Sequence, residues 1–265
     1  MIGFAHIRLV QAASLSAALL MSSAAFAQDE TTRQLAEYLR AVEALSAFGD
    51  DLKVVVSTDL GFSDAQVAQW ASAVEVAFER DLLEAEFIAA LESRLSEPVR
   101  QAAVEYHTSP LGEEVVERVA NAPDIEEAPD FLDEAKADLA AMPDDRRALL
   151  ETQFKLESAT AQNDAVMTSY FRAMQVAATP VIGADAAEQW VTSAQYLRDE
   201  FNESHFLTYV SVYSQLPDER HEELVAILST PEMIEFYTQS VEAYAETLHA
   251  AVDRVEAAYA NGSNQ

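Results

Sequence analysis

Residues 231–262 read PEMIEFYTQSVEAYAETLHAAVDRVEAAYANG, and the periodicity of this run decides the fold. Ile234, Tyr237, Val241, Tyr244, Leu248, Val252, Val255 and Tyr259 recur at steps of three and four. At 3.6 residues per turn this spacing lines up one apolar stripe of a long helix, and Asn261-Gly262 supplies its stop signal. Left uncovered by the rest of the chain, such a stripe would be a homodimerisation seam. Tyr237, Tyr244 and Tyr259 on it are read as packing residues with hydroxyls reaching the edge of the core.

The same period recurs upstream. Leu149–Met174 carries Phe154, Val166, Tyr170, Phe171 and Met174 on one face. Trp190, Ala194, Leu197 and Phe201 form another stripe, and Leu35, Tyr38, Leu39, Val42 and Leu45 a third. Only 6 Gly and 8 Pro interrupt 265 residues, so little breaks the helical pattern. Val54-Val55-Val56 is the one strand-like patch, too short and isolated to pair into a sheet. The expected fold class is all-α, a multi-helix array of eight or nine helices.

Helix starts and corners are legible. Ser63 with Gln66 reads as a capping box opening a helix. Ser109-Pro110 and Thr230-Pro231 each place a good cap before a proline at the first helical position. Each therefore predicts a sharp corner, from 97–107 into 110–119 and from 218–228 into 231 onward. The two corners belong to a longer internal similarity. Asp64 with Gln69-Trp70 recurs as Asp185 with Gln189-Trp190, Phe87 as Phe206, and Thr108-Ser109-Pro110 as Ser229-Thr230-Pro231. The offsets stay between 119 and 121, which reads as two pseudo-repeated helical units at 28–122 and 146–265. Residues 123–145, with three prolines, nine acids and one base, read as an acidic connector holding a short helix from Phe131 to Ala140.

The N-terminus reads as an export signal. Arg8 precedes an uncharged stretch from Leu9 to Gln28, and Ala25-Phe26-Ala27 is an A-x-A cleavage site, so residues 1–27 form a signal peptide cut between Ala27 and Gln28. The mature chain is then an exported, most simply periplasmic, bacterial protein without membrane insertion. It keeps 46 acids and 15 bases: −12 in the first unit, −8 in the connector and −11 in the second. That charge disfavours nucleic acid and anionic membranes as partners. With no Cys, thiol chemistry, disulfides and cysteine metal sites are excluded.

Tyr106-His107-Thr108-Ser109-Pro110-Leu111-Gly112 resembles the Phe-Tyr-x-Ser-Pro-x-Gly signature of a family of exported bacterial helical proteins of unknown function. Here Tyr106 and His107 stand in place of Phe-Tyr. In the second unit Ile227, Leu228 and Met233 replace the aromatic pair and the glycine. The resemblance implies a helical fold and export, and no chemistry.

No motif announces catalysis, a cofactor or a metal. His107, His205, His221 and His249 show no metal-ligand spacing, and all but His205, which follows Phe201 by four on an apolar stripe, are read as solvated or capping residues. Four residues are binding candidates: Tyr106 and His107 in the corner motif, and Glu86 and His205, ionisable residues matched in position between the units. The expected function is non-enzymatic binding of a partner protein or small ligand. The competing reading is an envelope hydrolase using Glu86 and His205, or His107, as acid and base.

Overall fold

A computed structural model describes residues 24–122 and 130–262. Residues 1–23, which hold most of the expected signal peptide, lie outside the described residues, and Ala25 to Gln28 belong to the first turns of α1. Among the described residues there are thirteen α-helices, one 3₁₀ turn (Thr58–Leu60) and no strand. The first six helices are α1 (Ala24–Leu39), α2 (Ala41–Val55), α3 (Asp64–Ala77), α4 (Arg80–Arg94), α5 (Glu97–His107) and α6 (Pro110–Ala120). α7 is Phe131–Ala141. The last six are α8 (Asp144–Leu156), α9 (Ala159–Ile182), α10 (Ala184–Ser193), α11 (Tyr196–Tyr213), α12 (Asp218–Leu228) and α13 (Pro231–Gly262).

The capping signals act as read. Ser63 forms a reciprocal box with Gln66, its Oγ accepting from the Gln66 backbone N–H at 3.3 Å. At the α5–α6 corner Ser109 Oγ donates to the Tyr106 carbonyl (2.6 Å) and accepts from the Gly112 N–H (3.0 Å). A Cβ at Gly112 would lie 2.1 Å from the Tyr106 carbonyl oxygen, so only glycine lets α6 start this close to the end of α5.

Three predicted stripes each divide into two helices, which accounts for most of the excess over the expected eight or nine. Arg40 (φ 52°) separates α1 from α2, and Ser158 (φ 56°) separates α8 from α9. Both adopt the left-handed conformation that favours glycine, so neither elbow leaves a glycine or proline signal in the sequence. The Trp190–Phe201 stripe breaks between Ser193 and Tyr196. The C-terminal stripe is rotated from its expected position at its start, where Met233 and Phe236 are buried and Ile234 is 42% exposed.

α13 is the spine, packing against α3, α4, α5 and α9. Its stripe is covered by the chain itself, so it is not left open as a dimer seam. Trp70, fully buried on α3, donates to the Leu52 carbonyl (2.6 Å) and meets Tyr259 of α13 edge to face. One continuous apolar core runs from Leu35 to Tyr259 through both ends of the chain. The segment expected as a solvated connector is more engaged than read. Its helix α7 packs against α11 and buries Phe131 and Ala135.

Contacts among the first six helices recur among the last six. α1 packs on α2, α4 and α5, as α8 does on α9, α11 and α12. α2 packs on α3 and α4, as α9 does on α10 and α11, and α5 meets α6 as α12 meets α13. The left-handed elbows Arg40 and Ser158 occupy the same place in the two series, after the first helix of each.

Candidate functional site

The most unusual chemistry lies where α5, α8, α11, α12 and α13 approach one another. Gln153 on α8 is fully buried; its Nε2 donates to Glu157 Oε1 (3.0 Å), and its Oε1 pairs with His221 Nε2 of α12 (2.7 Å). Glu157, half-buried, ends α8 immediately before the Ser158 elbow. Desolvation pushes its carboxyl up to about 7, against the lowering pull of Gln153 and of the nearby Tyr209 hydroxyl.

Tyrosines surround this carboxyl. Tyr209 and Tyr213 come from α11 with ring centres 4.4 Å apart, Tyr106 from α5 and Tyr237 from α13. Burial raises all four phenols, and the Glu157 charge raises each further. Among the described residues no lysine or arginine pairs with Glu157. Arg146 approaches His221, but its guanidinium is taken by Asp218 and by the carbonyls of Ser214 and Leu216.

Several polar atoms here are buried and without a hydrogen-bond partner. They are the hydroxyls of Tyr106 and Tyr209, Nδ1 of His221 and both ring nitrogens of His107. The Tyr209 hydroxyl lies near the Glu157 carboxyl without meeting hydrogen-bond geometry. Orphaned buried polar atoms are rare in folded proteins, and a group of them marks a place for water or a ligand.

The candidates read from sequence fall in three places. Tyr106 (4% exposed) belongs to the polar centre, and His107 (6% exposed) sits beside it, stacked on Tyr38 at 4.9 Å and touching Phe236. Desolvation lowers the His107 ring to about 4, so it is neutral. His205 lies elsewhere, against Phe154 and Phe201, with Nδ1 2.6 Å from Asn163 Oδ1; burial lowers it to about 4 as well. Glu86 is on α4 and accepts from Arg254 of α13 at 2.7 Å. Among the described residues no hydrogen bond or ring contact joins Glu86 to His205. The solvated or capping reading of the histidines is corrected for His107 and His221, which are core residues because aromatic rings and Gln153 replace their water.

Glu157, Gln153, Tyr209, Tyr213 and His221 were not among the sequence candidates. Their signal was faint: Gln153 and Glu157, like Tyr209 and Tyr213, stand four apart, placing polar groups on faces meant for the core. Among the described residues no group of three or more acidic or histidine side chains is placed to hold a metal ion, and no helix is long and apolar enough to cross a membrane.

A second feature is an open groove of about 480 Å³ between α6 and α11, lined by Glu114, Glu117, Arg118, Asn121, Ser211 and Gln215. In it Glu114 accepts from Arg118 (3.0 Å) and from Arg220 of α12 (3.1 Å). No family model, curated protein or solved structure matches the chain.

Proposed function

We propose that the chain is an exported, non-enzymatic binding protein of the bacterial periplasm, which holds a small ligand in the polar centre around Glu157. One comparison within the molecule carries the reading. Counting back from the left-handed elbows, Gln153 and Glu157 before Ser158 stand where Leu35 and Leu39 stand before Arg40. The first elbow packs its helix with leucines, Leu35 being fully buried, so the architecture itself does not require polar groups there. A polar cluster kept where an apolar one suffices costs stability, and such local departures concentrate at functional sites.

The recurrent contacts and matched elbows support the accompanying reading of two pseudo-repeated units. The Gly112 close approach gives the Tyr106–Gly112 motif a structural purpose, which accords with the family resemblance as a matter of fold. The hydrolase reading draws no support from the geometry. Glu86 is paired with Arg254, His205 faces an amide, and His107 is packed against Tyr38 and Phe236.

The test restores the leucines. Q153L/E157L gives the second elbow the residues of the first and is expected to fold. In a thermal-shift screen of small polar metabolites at fixed pH, compounds that stabilise the native protein should lose their effect on this variant. Equal stabilisation of both proteins by every active compound would place binding elsewhere.

A further inference from the structure

We propose that the ligand of the Glu157 centre is a small organic cation carrying a primary ammonium group. The inference rests on the binding role argued above and names the chemistry of that same site. Glu157, Gln153, the four tyrosines and His221 each offer an acceptor or can act as one. Glu157 offers a carboxylate on the elbow after α8, Gln153 holds it from α8, and Tyr106, Tyr209, Tyr213 and Tyr237 bring hydroxyls from α5, α11 and α13. His221 from α12 leaves Nδ1 unpartnered, and the neighbouring His107 leaves both nitrogens so.

No cation of the chain answers this set. Glu157 has no ion-pair partner among the described residues, and Arg146, which approaches His221, is already bonded to Asp218 and two backbone carbonyls. The histidines are held neutral by burial, so they do not compensate the carboxylate. A partly desolvated carboxylate is stabilised by a positive partner, and none is supplied from within, so its ionised form is left for a ligand to stabilise.

A primary ammonium group fits what is missing. Its three N–H donors match the carboxylate and the orphaned hydroxyl oxygens of Tyr106 and Tyr209. The tyrosine rings add cation–π attraction. An anion would face the Glu157 charge, and a neutral alcohol would leave that charge uncompensated. The half-buried positions of Glu157 and Tyr237 leave the centre an opening to solvent. The net charge of −30 concentrates cations around the whole molecule, which favours their capture.

The experiment is an NMR titration of the full mature chain carrying isotope-labelled tyrosine. The probes are butylammonium, its neutral isostere 1-butanol, tetramethylammonium and potassium ion. Butylammonium should shift the Tyr106 and Tyr209 ring signals saturably. Its affinity should be about tenfold weaker at pH 6 than at pH 8, as Glu157 takes up a proton. E157Q should abolish the shifts while keeping the native tyrosine dispersion. Y106F/Y209F, which keeps the carboxylate and the rings, should weaken binding without abolishing it. Saturable binding of 1-butanol with equal strength in native protein and E157Q would overturn the cation assignment and leave the binding role standing. Failure of every probe to move these signals would overturn both. Equal affinity for tetramethylammonium would overturn the primary-amine assignment, because that ion has no N–H donor. Stronger binding of potassium than of butylammonium would overturn the organic-cation assignment.

Discussion

Replacing Glu157 with glutamine removes an ionisable carboxyl from a place that resists its ionisation, while keeping its shape. The native carboxyl titrates at about 7 against an ordinary value of 4.5. Its neutral form is therefore favoured in the fold, and the associated stability is full below 4.5 and lost as pH rises through 7. At about 1.4 kcal/mol per tenfold change in proton affinity, the loss amounts to about 3 kcal/mol. Glutamine at 157 never ionises and still offers an oxygen to Gln153 Nε2. E157Q should thus match the native protein near pH 4.5 and exceed it by about 3 kcal/mol at pH 8.5. Urea unfolding of both proteins at the two pH values measures this double difference, and every other titrating group cancels from it. A difference that is the same at both pH values would mean that the carboxyl is no harder to ionise folded than unfolded, contrary to its raised titration.

Three further outcomes follow from the packing. His107 is held at about 4 by burial, so its contribution to stability is present above 6.5 and is lost as pH falls toward 4; H107F should recover about 3 kcal/mol at pH 4 relative to pH 7.5, measured by urea unfolding. G112A forces a methyl group against the Tyr106 carbonyl and should destabilise by about 1–3 kcal/mol or more, read as a lowered thermal midpoint, whereas an alanine at exposed Glu113 beside it should change little. R254A removes a partly exposed ion pair with Glu86 together with two bonds to the Ala77 carbonyl; guanidinium unfolding should show a loss of about 1–2 kcal/mol, and E86Q, which removes only the charge, a loss under about 1 kcal/mol.

What the sequence disclosed is what repeats or caps. The three-and-four spacing of 231–262, the Ser63 box and the two proline corners each act through one or two turns of backbone, and each is found where its chemistry places it apart from the start of α13, where Met233 and Phe236 take the buried face from Ile234. The elbows escaped because Arg40 and Ser158 adopt a conformation that their side chains do not advertise. α7 was read as part of a solvated connector because its acids hide the burial of Phe131 and Ala135. The candidate site was half legible for the same reason. Tyr106 and His107 stood out through a local motif, but Gln153, Glu157, Tyr209, Tyr213 and His221 meet only in space, from helices spread over some seventy residues. Glu86 and His205 drew attention by matching in position, yet their surroundings differ: α13 supplies Arg254 to one, and α9 supplies Asn163 to the other.

A crystal structure of the protein grown at pH 8 with butylammonium would show directly whether the Glu157 centre holds an ammonium group. The expected result is ligand density with its nitrogen in hydrogen-bond contact with the Glu157 carboxylate and facing the hydroxyls of Tyr106 and Tyr209. The contrary result is a closed centre without ligand, in which those two hydroxyls are bonded directly to protein acceptors.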